Sequence, residues 1–143
     1  MVSHKKMTKK IVSAKVDEMY RESKHWNSCL QLINDELTFI QHLLNSYVFE
    51  PNTPNLFERL QDYQARIKRS KDDWDKLSKM IGRHENSIGG ILECSDSVCD
   101  NFYHQKHEKL KVEAVNYMEN FKDLKYEIFE YAGCILKKRK PNN

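Results

Sequence analysis

The chain has 143 residues, of which only 4 are Gly and 3 are Pro, well under the roughly 12% that average composition would supply. A sandwich or barrel needs a turn every 8–12 residues or so, rich in such residues, and a phosphate cradle needs clustered glycines. Both classes are excluded, while 31% charged and 39% apolar residues suit long amphipathic helices.

The formal net charge of +3 is unevenly spread. Five lysines (5, 6, 9, 10 and 15) and no acid lie in residues 1–15, and Lys137-Lys138-Arg139-Lys140 lies near the other end. Without those nine, 15 basic side chains face 21 acidic ones. An acidic body with basic ends lacks the continuous basic face of a nucleic-acid groove, so no nucleic acid is expected as a partner. The C-terminal cations complement the dipole of a last helical turn. No apolar run is long enough for a membrane span, and the N-terminus lacks a secretory apolar core, so the expected location is cytoplasmic. Cys29, Cys94, Cys99 and Cys134 match no zinc or CxxC pattern. They are expected to be reduced, although Cys94 and Cys99 flank a predicted turn and can approach each other.

Residues 1–14 read as a basic tail. A first helix is expected over residues 15–49, with a seam at Val16, Met19, Ser23, Trp26, Leu30, Ile33, Leu37, Ile40, Leu44 and Tyr47. A break follows at Pro51-Asn52-Thr53-Pro54-Asn55, where Thr53 or Asn55 can cap the next helix, Asn55 with Glu58 resembling a capping box. The second helix, over 55–93, carries Leu56, Leu60, Tyr63, Ile67, Ser70, Trp74, Leu77, Ile81, His84, Ile88 and Ile91. Ser95-Asp96-Ser97 separates it from a third, over 98–138, where Ser97 and Asp100 give a weaker capping signal. Its seam is Tyr103, His107, Leu110, Ala114, Tyr117, Phe121, Leu124, Ile128, Tyr131 and Ile135. Residues 139–143 form a short tail. A 3.5-residue apolar period sustained this long marks left-handed helix packing, and short connections make consecutive helices antiparallel. The fold class is therefore all-α: one antiparallel up-down-up three-helix bundle with long, coiled-coil-like helices over 15–138.

Register follows from the turns. Setting His84 opposite His107 makes paired numbers in the last two helices sum to 191. That places Ser70 against Phe121, Leu77 against Ala114, Ile81 against Leu110 and Leu56 against Ile135. For the first two helices the sum is about 103–107, with Trp26 near Ile81 and Met19 or Ser23 near His84.

The seam turns polar at Ser23, His84 and His107, all on one level, with Glu22, His25, Glu85, His104 and Glu108 nearby. Imidazoles and carboxylates on facing helices are how bundles hold transition metals. His84, His107, Glu22, His25 and His104 are thus candidate ligands for an ion such as Zn or Fe, although no ExxH pair of the di-iron type is present. The plainer alternative is an end layer of hydrogen-bonded histidines. Gly82, Gly89 and Gly90 crowd the same level and point to a bend, an early helix end or a close backbone approach. Nucleotide-binding, GxSxG and HExxH motifs are absent. Cys94 or Cys99 with His104 is a remote nucleophile–base pair.

Phe39, Tyr126 and Phe129 lie off the seam. They either widen the core or, if exposed, mark a surface for a second copy or a partner helix.

His107-Glu108-Lys109-Leu110 through Tyr117, Phe121, Asp123-Leu124-Lys125, Glu127-Ile128 and Phe129, with His84-Glu85 and with Trp26 followed by Asp35-Glu36-Leu37, resemble a family of small, uncharacterised bacterial helical-bundle proteins over roughly residues 20–137. In that family a His tends to stand three residues before the Trp, where this chain has Ser23. The resemblance implies a bundle and a bacterial cytoplasm and supplies no activity. The expected function is a non-enzymatic interaction or scaffold protein, without catalytic residues and with a homo-oligomer or partner helix. The alternative is a transition-metal-binding bundle with a His/carboxylate site where the second and third helices meet.

Overall fold

The computed structural model describes residues 2–46, 49, 54–94 and 96–139. It is all-helical: α1 (Val2–Leu44), α2 (Pro54–Ile88), a short 3-10 helix (Gly89–Glu93) and α3 (Ser97–Arg139), with no strand among the described residues. No helix among them is long and apolar enough to cross a membrane.

Several boundaries differ from the sequence expectation. α1 begins at Val2, inside the segment expected to be a tail. Lysine is a good helix former, so this stretch continues the helix although it carries no apolar seam. α1 ends at Leu44 rather than residue 49, because Ser46 folds back and donates through N–H and Oγ to the Leu43 carbonyl (3.1 and 2.7 Å). α2 starts on Pro54, a residue suited to a first turn whose N–H has no helical acceptor. Asn55 therefore lies inside the helix and is not its cap; Pro51, Asn52 and Thr53 lie outside the described residues. α3 is capped by Asp96, whose Oδ1 accepts the Cys99 N–H at 2.8 Å, instead of by Ser97. Residues 140–143 lie outside the described residues.

The early helix end expected at the glycines is present, since α2 gives way to the 3-10 turn at Gly89. Gly90 shows the close approach: a Cβ there would run into the Tyr103 hydroxyl and ring. Gly82 shows no such approach, with open space around its Cβ position. Cys94 and Cys99 form a disulfide with Cα atoms 5.5 Å apart, which corrects the expectation of four reduced thiols. The 3-10 turn and the cap at Asp96 bring the two cysteines together across the α2–α3 connection. Cys29 and Cys134 are free.

The chain divides into two compact units. One comprises Gln31–Asp75 and Tyr117–Asn143. Its core holds Ile33, Leu37, Ile40, Leu44, Phe49, Tyr63, Ile67, Phe121, Leu124, Ile128, Ala132 and Ile135. α2 runs antiparallel to α3, as Tyr63–Tyr131 (5.3 Å between rings) and the two-pronged Arg66–Glu127 pair (3.1 and 3.0 Å) record. α1 runs parallel to α3, as Glu36–Lys125 and Phe39–Phe129 record. Ser70 meets Tyr117. The Tyr117 hydroxyl donates to the Ser70 carbonyl at 2.9 Å and lies 3.2 Å from Ser70 Oγ. A partly buried phenol needs a polar partner, and Ser70 supplies it. Phe49 is fully buried, 5.9 Å from the Tyr131 ring, so the α1–α2 connection feeds a side chain into the core rather than turning tightly. Gln64–Asn45 here (3.0 Å) gives a higher number sum than the tight-turn expectation.

The other unit comprises Met1–Leu30 and Lys76–Asn116. Val16 and Met19 of α1 pack with Ile88 and Ile91, flanked by Tyr20 and Tyr103. Trp26, Leu30, Leu77, Ile81, Leu110 and Ala114 are also buried. Asn27 donates to Glu85 at 2.8 Å across α1 and α2. Ser23, His84 and His107 are this unit's polar buried residues among those described.

Candidate functional site

The heptad seam places His84 on the inner face of α2 and His107 on the inner face of α3, at the pair sum of 191. Nε2 of His84 lies 2.7 Å from Nδ1 of His107, with ring centroids 5.0 Å apart. Both rings are almost wholly buried, at 1% and 2% exposure. Trp26 of α1 stacks on His107 at 5.0 Å and 28°. Glu22, one turn earlier on α1, holds Oε1 3.7 Å from His107 Nε2 and gives Oε2 to Lys111 at 3.0 Å. Ser23, between Glu22 and Trp26 in sequence, is fully buried.

Electrostatics follow from burial. Desolvation pushes His84 down to about 4, helped by the facing His107 and by Lys106. Burial also lowers His107, against the upward pull of Glu22 and Glu108. The two imidazoles are therefore neutral at neutral pH. One N–H is shared between them, so one ring donates and the other accepts. Ser23 Oγ, His84 Nδ1 and His107 Nε2 have no hydrogen-bond partner within the protein.

The structure brings His84, His107 and Glu22 together and leaves the other two candidate ligands apart. His25 is exposed and lies 3.6 Å from Cys29 Sγ on its own helix. His104 faces Asp100, also on its own helix, at 3.8 Å. Residues three or four apart on a helix share a face, but His25 and His104 stand off the buried seam of their helices. Among the described residues no three His, Cys, Asp or Glu side chains are grouped so as to hold a metal ion. Chemically the pair is a buried, neutral, hydrogen-bonded layer, with one carboxylate at its edge.

A second feature lies on the outside of the unit built from Gln31–Asp75 and Tyr117–Asn143. Leu32 and Phe39 of α1 are each 60% exposed, and Phe129 and Leu136 of α3 are 41% and 52% exposed. Phe39 and Phe129 meet edge-to-face at 6.4 Å, with the Glu36–Lys125 ion pair (3.0 Å) one turn away. The off-seam position of the two phenylalanines points here from sequence. Leu32 and Leu136 are not singled out by the main seam, although each stands seven residues from a phenylalanine, the spacing of a second seam.

No family model matches the chain, and no solved structure matches it. Among curated proteins, the type II cytoskeletal keratin 8 of Protopterus aethiopicus is 22% identical over 125 residues, which is 87% of this chain and 24% of the keratin. The chain thus spans about a quarter of the length of that relative, to which it is weakly similar.

Proposed function

We propose that this chain is a non-enzymatic interaction or scaffold protein that works by self-association or by engaging a partner helix. The observation that carries the reading is the exposed apolar row Leu32, Phe39, Phe129 and Leu136. Contiguous exposed apolar surface is costly in water and marks contact sites on soluble proteins. Phe39 and Phe129 meet on two adjacent, parallel helices at the centre of this surface, and Leu32 and Leu136 are exposed two turns to either side. The similarity to a protein named as cytoskeletal favours a structural role in the same direction.

The test is the size of the native assembly. In extracts of the source cells the protein should migrate as a particle well above its 17.1 kDa. A Phe39→Glu/Phe129→Glu variant should fall to the monomer position with its helical signal intact. Migration of the unaltered protein as a monomer would overturn the reading.

A further inference from the structure

The bond between Cys94 and Cys99 ties together two elements at one end of the unit built from Met1–Leu30 and Lys76–Asn116. Cys94 directly follows the 3-10 helix as its C-cap, and Cys99 lies in the first turn of α3. Both elements feed one buried layer. The 3-10 helix contributes Ile91, which packs with Ile88 and with Val16 and Met19 of α1, and α3 contributes Tyr103 beside them. Tyr103 also sits against the 3-10 helix at Gly90. A cross-link between residues 94 and 99 therefore restrains the two segments that have to part before this layer opens.

Three features suit the bond to reversible exchange. Solvent reaches it, since both cysteines are half-buried and Leu92, Glu93, Asp96, Ser97 and Val98 around them are exposed. Access to sulfur is what an attacking thiolate needs. The two cysteines are also held near each other by bonds other than their own. The Cys99 N–H donates to Asp96 Oδ1 at 2.8 Å, the Asp100 N–H to the Asp96 carbonyl at 3.4 Å, and the Cys94 N–H to the Ile91 carbonyl at 3.1 Å. The reduced state has a partner ready as well, because Cys94 Sγ lies 3.7 Å from the Gly90 carbonyl oxygen, an acceptor for a thiol proton. The bond spans only five positions. A loop that short takes less freedom from the unfolded chain than a long one, and the buried layers of the fold are built without it.

We infer that the Cys94–Cys99 bond is a reversible thiol–disulfide switch, exchanged by a small thiol of the glutathione class, that sets how often the layer of Ile91 and Tyr103 opens. In the reducing direction a thiolate of the small molecule attacks one protein sulfur, forming a mixed disulfide and releasing the other cysteine as a thiolate. A second small thiolate attacks the mixed bond and frees the first cysteine. Two small thiols become one small disulfide, two electrons pass to the protein, and the two protons the thiols lose end on Cys94 and Cys99. The small disulfide drives the reverse reaction. The closed geometry is common to both states. What changes is the range of locally opened states, which the cross-link narrows.

The test uses the full chain in a Cys29→Ser/Cys134→Ser background, equilibrated with mixtures of reduced and oxidised glutathione. Alkylation and mass spectrometry read the state of Cys94 and Cys99, and amide hydrogen exchange is then compared between the two forms. The expected result is complete, reversible interconversion with unchanged far-ultraviolet circular dichroism. Exchange over residues 89–103 should be roughly fivefold or more faster in the reduced form, while residues 31–44 and 117–135 keep their rates. Cys94→Ser/Cys99→Ser should exchange like the reduced form in every glutathione mixture. A bond that glutathione reduces only in denaturant overturns the inference, as do thiols that fail to re-form it. Equal exchange in the two forms, or acceleration spread evenly along the chain, overturns it too. If the double serine variant misfolds, the two redox forms of the parent chain still decide.

Discussion

His84 Nε2 and His107 Nδ1 are 2.7 Å apart in a layer that solvent does not reach. Two neutral imidazoles at that distance satisfy each other with a single N–H···N hydrogen bond, and protonating both would place two cations together in a low-dielectric core. Charged groups around the layer are Glu22 from α1 and Glu108, Lys106 and Lys111 from α3, with Glu85 beside His84 in sequence. None offsets the desolvation that holds both histidines below their ordinary range.

Stability should therefore depend on pH in one direction. Both folded values are depressed, so the unfolded chain binds more protons as pH falls below the ordinary histidine value of about 6.5. The stabilisation is complete above that value and is lost as pH drops toward about 4, where folded His84 itself titrates. The His84 shift corresponds to a loss on the order of 3 kcal/mol across that window. Urea midpoints at pH 7.5, 6.5, 5.5 and 4.5 would measure it, and a flat profile down to pH 5 would show the rings to be solvated. His84→Leu/His107→Leu should flatten the slope over the same interval.

That double variant separates pairing from burial. Removing one ring leaves the other with an unmet nitrogen in the core, costing about 1–3 kcal/mol beyond the lost packing. Replacing both by apolar side chains removes the polar demand altogether. His84→Leu and His107→Leu should each destabilise clearly, and the double variant should cost less than their sum by about 1–2 kcal/mol. Chemical denaturation of the four proteins closes the cycle, and strict additivity would show the 2.7 Å contact to be energetically empty.

Periodicity explains why this layer is legible in the sequence and why only part of its five-residue ligand set comes together. A seam of 3.5 residues and short connections suffice to place His84 opposite His107, because every position on an inner face has a fixed level. They do not resolve what stands beside the seam. His25 and His104 are one position away from Trp26 and Tyr103, and one residue turns a helix by about 100°, enough to take each off the core. Phe49 is hidden for a different reason: it sits in a connection, where periodicity says nothing, yet it is fully buried. Asp96 takes the capping role because its position relative to the first turn, and not its distance from an acid three residues on, decides which side chain reaches the free N–H groups. The start of α1 at Val2 is equally hidden, because a lysine-rich stretch without apolar spacing looks the same in sequence whether helical or not.

Metal should do little for this protein. A stable transition-metal site needs three or four ligands, and the histidine layer offers two imidazoles already bonded to one another, with Glu22 engaged by Lys111. Dialysis against a chelator should leave the thermal midpoint within about 1 °C, and equimolar Zn²⁺ should not raise it. A rise of about 5 °C or more, abolished by His84→Leu, would mean that the rings separate to admit an ion.

Gly82 and Gly90 make a matched pair for testing local geometry. Both lie near the C-terminal end of α2 or just past it, and neither has a positive φ. Gly82 is inside the helix, with nothing within 4 Å of where a methyl would stand. Gly82→Ala should therefore stabilise by about 0.5–1 kcal/mol, the intrinsic helix preference of alanine over glycine. Gly90 has the Tyr103 hydroxyl and ring against it, and Tyr103 is wedged beside Val16, Met19, Ile88 and Ile91. A methyl at 90 has to push that ring, so Gly90→Ala should destabilise by about 1–3 kcal/mol, as overpacking does. Removing the hydroxyl with Tyr103→Phe should return part of the loss in the Gly90→Ala background, and should do nothing comparable in the Gly82→Ala background. Equal thermal shifts for the two alanine variants would show that Tyr103 yields freely and that Gly90 is not held by a close approach.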